Sequence, residues 1–270
     1  MKSLKPRLLT AVIGIPILLI VLFVSELWLP FTGIVIGAAS AFMTGEYLHA
    51  RKMLYKFHLS IPCMLFAFLL SVLITTKYLY VLIFAFILTA FAVMIFKHEK
   101  TNYADVAYAV FGTFLISFGM SAIPIICASS ASITFCYICI FALPWMADAG
   151  GFFIGASFGK HKLCPKISPK KTVEGLIGGI LGATLGCGIY GIIISRYGVE
   201  INVIHFFLIG AICGMMGFFG DLVASSIKRY VGIKDYSNLI PGHGGVLDRF
   251  DSILFNAVVV FYYLTFIVGI

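Results

Sequence analysis

The chain is 270 residues long, 61% hydrophobic and only 11% charged, with a mean hydropathy of +1.07. A soluble domain carries about 25% charged residues, so composition excludes a soluble globular protein and asks for a bilayer. The formal net charge of +8 follows from bases placed as a topology signal and suited to anionic headgroups; nothing in it calls for nucleic acid.

An apolar run of about 20 residues crosses a bilayer as a helix, and such runs recur along the whole sequence. Alternating strand-like patterning is absent, so the expected fold is an all-α integral membrane protein and not a barrel. Length and hydropathy place nine transmembrane helices at about 8–29, 31–48, 58–76, 78–96, 105–127, 131–149, 173–195, 203–221 and 251–270. The pattern is least regular between 131 and 156, where Asp148 and the Gly150-Gly151 pair interrupt it. A basic start followed by an apolar stretch has the look of a signal peptide. The stretch is of span length, however, and no small-x-small site closes it, so it reads as the first transmembrane helix.

With the N-terminus in the cytoplasm, every Lys and Arg of the 19 falls inside except Lys77 and Arg196. That partition predicts a multi-pass protein of the inner (cytoplasmic) membrane, with an odd number of spans and the C-terminus outside. The seven cysteines lie mostly within spans. Cys136 and Cys139 have CxxC spacing but no second pair or histidine at zinc-ligand distance, so they read as small apolar residues.

Residues 1–140 hold N-terminal helices with short basic connectors. Their one notable acid is Glu46, near the inner end of the second span; it reads equally as a structural partner of a nearby base or as a minor site residue. Residues 141–270 carry the chemistry. Asp148 closes the sixth expected span at the inner face. The connector 159–171 reads GKHKLCPKISPKK, with Ser168-Pro169 as a turn and Thr172 as the cap of the next helix. Lys170 and Lys171 beside that helix N-terminus form a natural phosphate seat, although the same lysines would also serve as topology markers. In the following span, Gly178, Gly182 and Gly186 form one row of small residues and Gly175, Gly179 and Ala183 another. Such rows let helix backbones approach closely, inside one chain or across a homodimer.

The densest polar stretch is SSIKRYVGIKDYSNLIPGHGGVLDRFD, residues 225–251, with Asp221 just before it. Asp248 and Asp251 share a helix face if the last span begins there, and with Asp221 they make a hard-oxygen set suited to Mg²⁺. Lys228, Arg229 and Lys234 would hold phosphate charge, and the turn from Pro241 to Gly245 lets backbone approach a ligand. A solvated loop with ordinary ion pairs would carry the bases, but not three carboxylates around a helix junction.

Ser225-x-Ile227-Lys228-Arg229, Lys234-Asp235, Ser237, Ile240-Pro241, His243-Gly244-Gly245, Val246 and Asp248-Arg249-Phe250-Asp251 resemble the signature of phosphatidate cytidylyltransferases, also called CDP-diacylglycerol synthases. No fixed position departs from it. Asp148, Gly159-Lys160 and Ile167-Ser168-Pro169-x-Lys171-Thr172-x-Glu174-Gly175 resemble a second region of that family. The resemblance covers roughly residues 145–255. It implies that CTP and phosphatidate give CDP-diacylglycerol and pyrophosphate with Mg²⁺, and with room for a second metal ion. It further implies metal ligands Asp221, Asp248, Asp251 and Asp148. The catalytic group would be Lys228, Arg229, Lys234, Asp235, His243 and Arg249, with His243 a phosphate or loop contact and not the base. Substrate contacts would come from Ser168, Lys170, Lys171, Thr172, Ser225, Gly244 and Gly245. A CTP-dependent polyprenol or phytol kinase resembles the same family but would release CDP. A secondary transporter would place its acids near the midplane and often shows internal repeats.

Overall fold

The computed structural model describes residues 20–21, 24–25, 27–128, 143–196, 202–240 and 244–269. Most of the first and sixth expected spans, with Cys136, Cys139 and His243, lie outside the described residues. The elements in chain order are α1 (Pro30–Ala50), α2 (Phe57–Leu73), α3 (Leu79–Phe96), α4 (Tyr103–Ala128), α5 (Leu143–Phe158), β1 (Lys162–Cys164), β2 (Ser168–Thr172), α6 (Val173–Ser195), α7 (Val203–Tyr230) and α8 (Leu247–Tyr263). A π-helical turn, Leu264–Val268, extends α8. Among the described residues six helices are long and apolar enough to cross a membrane: α1, α3, α4, α6, α7, and α8 with its extension; α2 is apolar but shorter. The chain is a nearly all-α, multi-pass membrane protein.

Three boundaries differ from the sequence reading. Asp148 does not end a helix but lies inside α5, which runs on to Phe158. Helix α7 continues to Tyr230, so Ser225, Lys228 and Arg229 are helical and not part of a loop. A hydropathy window closes at the first charges, whereas a helix continues while its i−4 carbonyls remain available. Helix α8 starts at Leu247, which puts Asp248 in its first turn.

The chain divides into two compact units, Met1–Ala128 with Val231–Phe250, and Ser129–Tyr230 with Asp251–Ile270. In the first unit α1, α2 and α4 pack together. Tyr47 of α1 stacks on Tyr108 of α4 with centroids 4.3 Å apart, and each hydroxyl donates to the other residue's carbonyl, at 3.1 and 3.3 Å. Phe66, Phe86 and Phe114 knit α2, α3 and α4. Helix α3 buries only Phe86 and Val93 and leaves Phe84, Leu88, Phe91 and Ile95 exposed, a surface suited to lipid. Several hydroxyls inside the helices turn back to the preceding turn, as Ser40 does to Ile36 O and Thr113 to Ala109 O, whereas, among the described residues, those of Thr32 and Ser71 are buried without a hydrogen-bond partner. At one end of the unit Asp105 accepts from Lys56 at 2.7 Å and pairs with Arg51 at 3.1 Å, and His58 bonds Thr101. The basic connectors after α1 and α3 therefore lie on one side.

In the second unit the glycine rows serve packing within the chain. A Cβ at Gly182 would sit 2.7 Å from the carbonyl oxygen of Met146, and one at Gly178 would sit 2.7 Å from that of Gly150. Backbone therefore meets backbone along α5 and α6. On the other side of α6, a Cβ at Gly210 of α7 would lie 2.6 Å from the carbonyl oxygen of Ala183.

Candidate active site

Strands β1 and β2 form a short antiparallel hairpin that delivers the chain into α6. Thr172 is extended at its φ of −123°, and its hydroxyl accepts from Gly175 N at 3.0 Å, the cap the sequence expects. That cap is worth about 1 kcal/mol and fixes where the free N–H groups of α6 begin. Helix α5 approaches closely because Gly151 and Gly155 face Gly175 and Thr172 without side chains between them.

These elements, with α7, enclose a cavity of about 340 Å³ in the second unit. Asp148, Lys170, Lys171, Thr172 and Asp221 line it, together with Phe218, Ser252 and a floor of glycines that includes Gly175, Gly214 and Gly217. The Lys171 ammonium lies 2.5 Å from Asp221 Oδ2 and 4.1 Å above the Phe218 ring centre. Asp221 Oδ1 accepts from the Ser225 hydroxyl at 3.2 Å, one turn along α7. Arg229 Nε donates to Ile167 O at 3.2 Å and ties the end of α7 to the hairpin. The Asp221 side chain is 35% exposed, whereas the Lys171 ammonium it pairs with is buried.

The first unit holds the other polar group. Asp248 is 5% exposed, and its Oδ2 accepts from Tyr236 N at 2.8 Å and Gly245 N at 2.9 Å. Glu46, 6% exposed, accepts from the Ser237 hydroxyl at 2.6 Å, Val246 N at 3.1 Å and Leu247 N at 2.7 Å. Ile240 and Gly244 close the turn with two backbone hydrogen bonds, at 2.9 and 3.2 Å. Gly244 has φ +86°, where other residues are strained, and a Cβ there would lie 2.9 Å from Asp248 Oδ2. A Cβ on Gly245 would lie 2.7 Å from Glu46 Oε1. Both glycines are thus shaped by neighbouring carboxylates. Lys234, Asp235 and Arg249 are exposed.

Of the expected site residues, the cavity gathers Asp148, Lys170, Lys171, Thr172 and Asp221, and Ser225 joins them through Asp221. Lys228 is 7% exposed near the end of α7. Asp251 lies one turn beyond Asp248 on α8, and its Oδ1 accepts from Ser252 N at 2.7 Å. Ser168 sits at the start of β2, paired with Cys164. Sequence reasoning passed over Phe218 and Ser252, which look like ordinary helix residues. Of the two readings of Glu46, a partner of a nearby base is not what its hydrogen bonds show: its partners are a hydroxyl and two amides. Its one local signal was a lone acid in an apolar helix.

Two cavity carboxylates beside two lysines fit a divalent cation that arrives with phosphate. Among the described residues no three His, Cys, Asp or Glu side chains form a ready metal cage. Mg²⁺ needs none, since it commonly takes one or two carboxylates with phosphate and water.

A profile of the Cytidylyltransferase family matches residues 5–267. The chain belongs to this family. It is 40% identical over 119 residues to a phosphatidate cytidylyltransferase of Bacillus subtilis (strain 168), a match covering 44% of this chain and 42% of that protein. A phosphatidate cytidylyltransferase of Staphylococcus aureus (strain COL) is 39% identical over 117 residues, 43% of each chain. One of Staphylococcus epidermidis (strain ATCC 12228) is 38% identical over 117 residues, again 43% of each. By these matches the chain spans less than half the length of the curated relatives.

Proposed function

We propose that this chain is a phosphatidate cytidylyltransferase of the inner membrane, converting CTP and phosphatidate to CDP-diacylglycerol and pyrophosphate with Mg²⁺. Family membership, the long signature and the names of the relatives support it. The observation that carries the reading is the cavity where Asp148 and Asp221 meet Lys170 and Lys171 before a capped helix N-terminus.

A phosphate oxygen of phosphatidate attacks the α-phosphorus of CTP in line, and the bond to the pyrophosphate oxygen breaks. The attacking phosphate has a second pKa of about 6, so it is largely ionised at neutral pH and needs no strong base. The difficulty is electrostatic, because both reactants are anions. Lys170, Lys171 and the N–H groups at the start of α6 bind the phosphates and stabilise the charge that develops on them. An arriving phosphate competes with Asp221 for Lys171 and frees that carboxylate. Asp221 and Asp148 would then hold the Mg²⁺, which supplies charge neutralisation and alignment of the phosphates. The resemblance assigns further roles in the reaction to Lys228, Arg229, Lys234, Asp235, His243, Asp248, Arg249 and Asp251.

The same reading takes nine spans with the N-terminus cytoplasmic, as the partition of bases suggests. CTP is cytosolic, so the basic connectors belong on that side. The test uses CTP labelled at the α-phosphorus, with phosphatidate in detergent micelles. Label in the lipid phase with equimolar pyrophosphate is expected. Release of CDP would mark a lipid kinase instead, and absence of turnover would overturn the reading.

A further inference from the structure

Glu46 brings a carboxylate from α1 to a segment 191 to 201 residues away in sequence, and it meets three donors there. Two are the amides of Val246 and Leu247, at the start of α8, where N–H groups lack helical partners. The third is the Ser237 hydroxyl, at the other end of the signature turn. Asp248 holds the same turn from within, through the amides of Tyr236 and Gly245. Two buried carboxylates thus satisfy five donors around residues 236–247. Tyr236 adds a ring contact to Tyr47, 6.4 Å away and one residue after Glu46.

We propose that Glu46 is a positioning residue for the reaction: by capping α8 from another helix it sets the orientation of Asp248 and Arg249. This rests on the cytidylyltransferase reading above. The negative charge faces the positive end of the α8 dipole, and a carboxylate accepts from all three donors at once. A glutamine keeps the size but turns an NH₂ toward groups that are themselves donors. The turn and the first turn of α8 would then shift. A misplacement of about 1 Å far from the chemistry can cost 10²-fold, so a kcat loss of about 10- to 100-fold is expected.

The experiment compares the full wild-type chain with Glu46→Gln, Glu46→Asp and Ser237→Ala in detergent. It measures kcat and KM for both substrates, the thermal midpoint, and hydrogen exchange of peptides covering 236–248. The expected result is a fall in kcat for Glu46→Gln with little change in either KM. Exchange should rise in 236–248 but not in α2 or α3. Glu46→Asp should recover part of the loss, and Ser237→Ala, which removes one donor of three, should lose less. An active wild type with kcat unchanged in Glu46→Gln overturns the proposal alone. A lowered midpoint with raised exchange throughout the unit also overturns it, since Glu46 would then be merely structural. An inactive wild type overturns the cytidylyltransferase reading, and the positioning role with it.

Discussion

Asp221 meets one ammonium and one hydroxyl in the cavity; its own side chain is 35% exposed, but the Lys171 ammonium is buried. Removing one partner of such a pair leaves the buried ammonium uncompensated, which costs stability. Replacing Asp221 by Asn should therefore lower the thermal midpoint somewhat, and turnover is compared on protein that stays monodisperse at the assay temperature. Turnover should fall by about 10²-fold or more, the scale for losing one preorganised charge contact. Asp148→Asn should lose turnover on the same scale. Activity measured across a Mg²⁺ titration checks both, and near wild-type rates at limiting Mg²⁺ would return the two acids to a surface role. Lys170→Gln with Lys171→Gln should act on binding: the KM for CTP or phosphatidate should rise several-fold, on the scale of about 1.4 kcal/mol per tenfold. Unchanged kinetics would leave those lysines as topology markers only.

Helix α6 depends on being thin. Its glycines touch the backbone carbonyls of α5, and a main chain cannot swing aside as a side-chain end can. Gly182→Val should therefore destabilise by about 1–3 kcal/mol or more, the usual range for overpacking. Leu181→Val on the exposed face of the same helix should be nearly neutral. Thermal retention of the monodisperse peak after solubilisation separates the two, and equal midpoints would show that α5 and α6 can part without cost. Thr172→Ala should cost about 1 kcal/mol through the lost cap, and it should also weaken the phosphate seat that the cap defines.

For the whole molecule, the distribution of Lys and Arg makes a prediction that no single helix makes. Single cysteines at Lys162 and Ser237, in a background without the native cysteines, should resist a membrane-impermeant thiol reagent in intact cells. Both should be labelled in inverted membranes, and a cysteine at Arg196 should do the reverse. Labelling of 162 and 237 from opposite sides would defeat the nine-span arrangement, and with it a shared cytosolic supply of CTP.

Composition and hydropathy alone determined the membrane class and the positions of most helices; the 173–195 span appears with the same ends as α6. The Thr172 cap and the shared face of Asp248 and Asp251 were also legible, because caps and i, i+3 spacing are local and depend only on neighbouring residues. The run of α5 through Asp148 and of α7 through Lys228 was not. Charges that end an apolar run do not end a helix whose backbone hydrogen bonds can continue. The partners of Glu46 were beyond sequence for a deeper reason. Ser237, Val246 and Leu247 reach it only because α1 and the signature turn fold into one unit, and no spacing along the chain encodes that meeting. The pair of Lys171 and Asp221 is of the same kind: the sequence supplied both charges, and the close approach of α5, α6 and α7 across glycine decided that they share a cavity.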